Sequence, residues 1–294
     1  MSTRDDASKP LRPVGASLPS GVLADVVDAE PLGGGAANDV WRLTLAGGTR
    51  LVLKASTGVA PDLYIREAEG LRALRAQGGL LTPRVVEVSP AHLLIEALEP
   101  APTDDPGFWE SAGRAVAGLH SVRGDRFGWP TDGWLGLLPQ ENAWADDGHA
   151  FFAVRRILRY VREPRVRSAL GPGDLVGLES ICDRLPTLIP AAPAVLNHGD
   201  LYRGNIVSTA GGEPAFIDPA VCWMWAEADL SMTYCVDRPP ERFFAAYQEI
   251  RPLEDGWQDR MPLLHLRELL SVVAHFDGVP DCVARIRETV RRFS

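Results

Sequence analysis

Residues 195–229 read VLNHGDLYRGNIVSTAGGEPAFIDPAVCWMWAEAD and are the most informative stretch of the chain. His198, Asp200 and Asn205 have the H-x-D-x-x-x-x-N spacing of a kinase-type catalytic loop. An aspartate in such a loop accepts the proton of the attacking hydroxyl, and a nearby amide oxygen holds a metal ion on the phosphates. The stretch therefore predicts Asp200 as the base and Asn205 as a metal ligand, with His198 as a structural hydrogen-bonding residue.

A second carboxylate follows at Asp218. Residues 206–207 and 215–217 predict the two strands of a hairpin, with residues 209–212 as its turn. Such a hairpin returns Asp218 to the side of Asn205, where a carboxylate supplies the hard oxygen ligand that Mg²⁺ prefers. The sequence therefore predicts a magnesium site formed by these two side chains.

Upstream of this stretch, the pattern predicts a lysine–glutamate pair. Asp39–Leu45 and Arg50–Ala55 alternate apolar and polar residues, which predicts a β-hairpin with Lys54 near its end. Residues 61–79 predict a helix whose apolar stripe includes Glu67. A glutamate that faces a core needs a cation. Lys54, one of two lysines among 30 basic side chains, is the predicted partner.

The remaining pattern predicts two lobes, because a strand-rich first third gives way near Glu96 to a helix-rich remainder. Residues 1–16 predict a flexible polar tail. Further strands are predicted at 85–88 and 92–95, and helices at 18–27, 107–121, 149–162, 174–188, 226–236, 240–250, 257–274 and 280–293.

Two segments each allow a nucleotide-binding interpretation and an ordinary one. The glycine-rich segment 32–38, with Gly34 and Gly35, fits a turn whose N–H groups cover ATP phosphates, or a flexible entrance to the hairpin. Glu96 and Leu98 follow an apolar strand, where a two-lobed kinase binds the adenine edge through backbone groups, or where an ordinary linker runs. A Walker-type P-loop is excluded, because its G-x-x-x-x-G-K-[ST] pattern is not there.

The composition of the chain limits the classes of partner and the cellular compartment that we expect. A net charge of −9 argues against a nucleic-acid or anionic-membrane surface. No apolar run approaches the roughly 20 residues that span a bilayer, and the first 20 residues show no signal peptide. The four cysteines are scattered, which predicts reduced thiols in a cytoplasmic protein without a cysteine metal site. We expect a monomer or weak dimer.

Four segments carry the strongest resemblance to a known family: HGDLYRGN at 198–205, FIDPAV at 216–221, EADLSM at 227–232, and FGWPTDGWLGLLPQENAWADDGHAFFAVRRI at 127–157. The chain resembles the fructosamine (ketosamine) kinase family, within the aminoglycoside and choline kinase-like phosphotransferases. The resemblance implies an α+β, protein-kinase-like bilobal fold, with a small β-rich N-lobe over 17–95 and a larger, mainly helical C-lobe over 96–294. It also implies that the protein uses ATP and Mg²⁺ to phosphorylate a hydroxyl of a small molecule.

Matched position by position, the resemblance implies a role for each candidate residue. Lys54 holds the nucleotide phosphates, and Glu67 fixes Lys54 in place. The hinge at Glu96 and Leu98 binds the adenine. The base is Asp200, the magnesium ligands are Asn205 and Asp218, and Asp229 braces the loop.

The acceptor side departs from the family pattern. Tyr202 stands where the family usually has Trp, and Trp223 and Trp225 interrupt a run that usually contains Gly and Arg. These three residues are candidates for binding the acceptor, although the two tryptophans also fit core positions. The predicted acceptor is a ketosamine or related amino sugar. Modification of an antibiotic or natural product, and a catalytically silent kinase-fold binding module, are the alternatives.

Overall fold

A five-stranded antiparallel sheet forms the first part of this computed structural model, which describes residues 24–32, 39–56, 58–102 and 104–294. Its strands are β1 (Val26–Leu32), β2 (Asp39–Leu45), β3 (Arg50–Ala55), β4 (Val85–Val88) and β5 (His92–Glu96), in the order β1-β2-β3-β5-β4. The strand β3 is paired on both sides, with Lys54 opposite Val40 and Leu93. The backbone of this lysine is therefore fixed in the middle of the sheet.

Helix α1 (Leu63–Ala76) packs against the sheet. Its apolar stripe is buried as the spacing predicted, with Leu63, Leu71 and Leu74 at most 5% exposed. Glu67 lies on the same stripe and therefore points inward, toward β3. Gly79, with a φ of +70°, follows the end of the helix, where a left-handed residue commonly terminates helical structure.

The rest of the chain is mainly helical. Its helices are α2 (Pro106–Leu119), α3 (Gly148–Phe152, continued by a π-helical segment, Ala153–Leu158, and a last α-turn, Arg159–Val161), α4 (Pro164–Ala169), α5 (Pro172–Leu188), α6 (Ala226–Cys235), α7 (Glu241–Ile250), α8 (Trp257–Leu264), α9 (Leu266–His275) and α10 (Pro280–Phe293). One large apolar core joins them. The sheet with α1 and this helical part are the small and large lobes of the predicted α+β fold.

Three short strand pairs position the loops between the lobes. They are β6 (Gly133–Leu135) with β7 (Leu138–Gln140), β8 (Val195–Asn197) with β11 (Cys222–Met224), and β9 (Ile206–Ser208) with β10 (Pro214–Phe216). The segment between β8 and β9 contains the H-x-D-x-x-x-x-N sequence, and the β9–β10 hairpin is the one that the sequence predicted.

The main difference from the predicted elements is at the N-terminal edge. We predicted a helix at residues 18–27. Residues 18–23 lie outside the described residues and residues 24–25 are helical, but strand β1 begins at Val26, so the helical prediction is wrong for residues 26–27. This strand contains Pro31, which lowers its strand signal, yet β1 is an edge strand, where a missing N–H is tolerated. Across the described residues, no helix has the length and apolarity needed to cross a bilayer.

Candidate active site

A buried lysine contacts two carboxylates at the boundary between the lobes. The Lys54 ammonium donates to Glu67 Oε1 at 2.6 Å and also contacts Asp218 Oδ1. Lys54 is only 5% exposed. Burial disfavours its charge, but the negative charges of Asp218 and Glu67 outweigh that effect and raise the pKa of Lys54. The predicted lysine–glutamate pair is confirmed, and Asp218, 164 residues away in sequence, completes it.

The backbone at Asp218 is held in an unusual conformation. Its φ is +56°, in the left-handed region that few non-glycine residues adopt and that asparagine and aspartate tolerate best. The preceding Ile217 donates its N–H to the Asn205 carbonyl at 3.0 Å. This bond and the β9–β10 hairpin place Asp218 beside Asn205, as the sequence predicted. Strained backbone of this kind is concentrated at functional sites.

Asn205 also orients the predicted base. Its Nδ2 donates to the Asp200 carbonyl at 2.8 Å and to Asp200 Oδ2 at 3.1 Å. Burial raises the pKa of Asp200 to about 7, with the charge of Arg267 opposing the rise and that of Asp218 adding to it. A carboxyl group whose pKa lies near neutrality is better suited to accept a proton than an ordinary aspartate.

The loop that carries Asp200 is supported by a buried aspartate. Asp229 accepts hydrogen bonds from the N–H groups of His198 at 2.6 Å and Gly199 at 2.7 Å. Its Oδ2 also lies 3.2 Å from His120 Nε2, and His120 Nδ1 lies 2.9 Å from the Tyr247 hydroxyl. Burial works against the charge, but His120 and these donors lower the pKa of Asp229. Asp229 therefore holds the loop while remaining ionised.

His198 has the position expected of a structural residue. It is fully buried, and its Nδ1 accepts the N–H of Asp200 at 3.3 Å. Burial lowers the pKa of His198, which keeps the ring neutral. A neutral ring with no exposure stabilises the backbone of the loop and does not take up a substrate proton.

We expect Asp229→Ala to destabilise the protein, because it leaves two buried backbone N–H groups without acceptors. Each such group costs about 1–3 kcal/mol, so the melting temperature should fall by roughly 5–15 °C. The exposed Asp259, paired with Arg292 at 2.9 Å, is a matched control, since Asp259→Ala removes only a surface ion pair. Equal melting temperatures for the two variants by differential scanning calorimetry would contradict this role.

Two cavities meet at the site. They share Lys54, Tyr202, Asn205 and Asp218 among their lining residues. The first cavity extends under the sheet, and its lining includes Val40, Val52, Ile95, Glu96 and Leu98. The second cavity extends toward the β6–β7 hairpin, and its lining includes Trp129, Asp132, Trp134, Gln140 and Asp200. Gly34 and Gly35 lie outside the described residues.

The prediction of Trp225 as an acceptor-binding residue is wrong. Its side chain is 2% exposed and packs on Phe152, with ring centroids 5.7 Å apart. At Trp225 the structure has the core position that the sequence also allowed, because the large apolar ring is buried against other aromatic side chains. Trp223 is half-buried and packs on Trp129, a lining residue of the second cavity, with ring centroids 6.0 Å apart. Its role in binding the acceptor stays a prediction.

Sequence reasoning missed several polar residues around the loop. Gln140 and Arg267 are both buried and contact each other through Gln140 Oε1 and Arg267 Nη2. Gln140 belongs to the 127–157 block that resembles the family, and this resemblance was the available signal. Arg267 stands beside Glu268 in the mainly apolar run LLHLRELL, where two buried charges at core positions indicate a specific partner.

A model of the fructosamine kinase family matches residues 19–288. The chain belongs to this family. A protein of Synechocystis designated a ketoamine kinase is 30% identical over 262 residues, covering 86% of each chain. The fructosamine kinases are small-molecule kinases, and this chain is therefore an enzyme of that class.

Solved structures agree with the family assignment. A Thermobifida fusca protein designated a fructosamine-3-kinase superposes with a TM-score of 0.83 at 30% identity, over 98% of this chain and 100% of that chain. An aminoglycoside phosphotransferase superposes with a TM-score of 0.63 at 14% identity, over 92% of this chain and 95% of that chain. The second likeness establishes the kinase-like fold alone.

Proposed function

We propose that this fructosamine kinase family member transfers the γ-phosphoryl group of ATP to a hydroxyl of a ketosamine. The observation that carries the proposal is the meeting of Lys54, Asp200, Asn205 and Asp218 where the two cavities join. A cation, a proton acceptor and two oxygen ligands are the groups that phosphoryl transfer requires. The designated ketoamine kinase of Synechocystis supports the choice of acceptor class.

The cavity under the sheet suits the nucleotide. We assign the adenine edge to backbone groups of Glu96 and Leu98, at a boundary between lobes 17–95 and 96–294. Lys54 holds the phosphates, and Glu67 keeps its ammonium in place through the 2.6 Å contact. Gly34 and Gly35 are assigned to the cover over the phosphates.

Asn205 and Asp218 are suited to hold Mg²⁺. Among the described residues, both hydrogen bonds of the Asn205 side chain are donated by Nδ2, which leaves Oδ1 available as a hard oxygen ligand. One or two protein oxygens together with the phosphates form the usual magnesium site. When bound, the ion neutralises the charge on the transferred group.

The chain supplies the acid–base and orienting chemistry on the acceptor side. Asp200 accepts the hydroxyl proton, and the Asn205 amide holds its Oδ2 in one orientation. Tyr202 lines both cavities and thus contacts the region between nucleotide and acceptor. Positioning of the hydroxyl against the phosphate accounts for much of the rate in such reactions.

The test is ATP turnover with a panel of acceptors. We expect phosphorylation of a fructosyl-amine such as fructosyl-lysine, loss of turnover when EDTA removes divalent cations, and recovery with excess Mg²⁺. Aminoglycosides and choline serve as comparison acceptors and are expected to give at least tenfold lower kcat/KM. Turnover with aminoglycosides alone, or no acceptor-dependent turnover, would overturn the proposal.

We also infer a cytoplasmic protein that is a monomer or weak dimer. The four free cysteines fit a reducing compartment, where thiols persist. Size-exclusion chromatography with light scattering tests the state of assembly, and a stable tetramer would contradict it.

A further inference from the structure

A buried arginine links the catalytic loop to the β6–β7 hairpin. Arg267, on α9, is 6% exposed, and its Nη1 donates to the Gly199 carbonyl at 2.7 Å. Its Nη2 contacts Gln140 Oε1, and Gln140 Nε2 donates to the Ala220 carbonyl at 2.9 Å. The guanidinium therefore connects the residue before Asp200 to the hairpin that lines the second cavity, which we assign to the acceptor and call the acceptor-side cavity.

The peptide units around Gly199 are fixed from several directions. The Gly199 N–H donates to Asp229, and its carbonyl accepts from Arg267. Its φ is +84°, and a Cβ there would lie 1.9 Å from the Ala220 carbonyl oxygen. Gln140 holds that same oxygen. Because Asp200 is the next residue, the orientation of its side chain depends on this closely packed backbone.

Stability alone does not explain this arrangement. Arg267 and Glu268 form a buried ion pair at 2.7 Å, and apolar residues of similar volume often replace such pairs without loss of stability. Arg267 Nε and Glu268 Oε2 are buried without a hydrogen-bond partner among the described residues. A buried ion pair is weak evidence for stability, so a geometric role accounts better for its presence.

We propose that Arg267 and Gln140 are positioning residues that set the orientation of Asp200 relative to an acceptor held against the β6–β7 hairpin. This inference rests on the function proposed above. Neither residue lines the cavity under the sheet. Their effect therefore falls on phosphoryl transfer and not on the binding of ATP.

The first test is Arg267→Lys, which keeps the charge but replaces the planar guanidinium with a single ammonium. One ammonium on a shorter side chain does not reach both the Gly199 carbonyl and Gln140 Oε1. We expect kcat to fall about 10–100-fold, because small misplacements of reacting groups have effects of this size, while the KM for ATP stays within about twofold. The matched control is Arg159→Lys, since Arg159 is equally buried and pairs with Glu163 at 3.0 Å, away from the loop. An unchanged kcat for Arg267→Lys, or equal losses in both variants, would overturn the proposal.

Two further variants separate positioning from folding. Arg267→Met combined with Glu268→Leu removes both buried charges but leaves the Gly199 carbonyl and Gln140 Oε1 without their donor. We therefore expect a lower melting temperature, together with a kcat that is still reduced when it is measured well below that temperature. A normal kcat in this variant would contradict the role.

A double-mutant cycle tests whether Gln140 and Arg267 act through their shared contact. If they do, kcat of the variant with both Gln140→Met and Arg267→Lys should fall no further than kcat of the more strongly affected single variant. If the fold-reductions in kcat of the two single variants multiply in the double variant, the two residues act independently, which would also overturn the proposal.

The wild type is assayed first with fructosyl-lysine. No transfer by the wild type refutes the proposed function. Normal wild-type transfer with unaffected variants refutes the positioning role alone.

Discussion

Asp200→Asn lowers kcat about 10²–10⁴-fold and leaves the dissociation constant for ATP within about twofold. The amide has the size of the carboxylate but accepts no proton, and general-base catalysis contributes rate factors of this order. The hydrogen bond from Asn205 Nδ2 at 3.1 Å can still reach an amide oxygen, so the loop keeps its geometry. Steady-state kinetics with fructosyl-lysine and calorimetric titration with a non-hydrolysable ATP analogue measure the two quantities.

The control for this variant is Asp146→Asn, since the Asp146 side chain is 83% exposed and, in the part of the chain that the structure describes, its one ion pair is with Arg126 at the surface. We expect wild-type kinetics for it. If Asp200→Asn turns over within tenfold of the wild type, Asp200 is not the base, and another acceptor for the proton must be found.

Lys54→Met lowers kcat/KM for ATP about 10²–10³-fold. The methionine retains most of the apolar stem but lacks the ammonium that holds the phosphates, and loss of one such preorganised group costs a factor of this size. The change also leaves Glu67 and Asp218 without their shared cation. Removing one partner of a buried ion pair destabilises a protein by about 3–5 kcal/mol, so a lower melting temperature accompanies the kinetic loss.

The exposed Arg292 provides the comparison, because Arg292→Met also removes a cation from an ion pair but at the surface. Kinetic constants and melting temperature should both stay near wild type in that variant. Assays of Lys54→Met run well below its melting temperature keep the kinetic effect apart from unfolding. Normal kcat/KM for ATP in folded Lys54→Met would remove Lys54 from phosphate binding.

The parts of the site that local patterns encode were predicted well from the sequence. Alternating strands placed Lys54, helical periodicity turned Glu67 inward, and the hairpin after Asn205 returned Asp218 to its side. Each of these inferences used a spacing of a few residues, where backbone geometry is regular. We predicted that these side chains lie together because phosphoryl transfer needs them around the same phosphate groups.

The parts that depend on tertiary packing were not predictable in this way. Arg267 reaches Gly199 across 68 positions of sequence, and no periodicity relates them. Trp225 fills a core formed by residues such as Phe127 and Phe152, although its sequence neighbourhood lies near the acceptor side. Contacts between residues that are far apart in sequence depend on how whole helices pack against each other. A local sequence pattern carries no information about that packing.

The chain of contacts from Asp229 through His120 to Tyr247 limits where this protein can change during evolution. Tyr247 lies on α7, so substitutions on the inner face of that helix disturb the loop without touching any ligand. Variation toward a different acceptor is more easily accommodated at Trp129 and Thr131, which line the cavity and have no hydrogen bond to the loop among the described residues. We therefore expect divergence within the family to alter the lining of the acceptor-side cavity at these positions more readily than the inner face of α7.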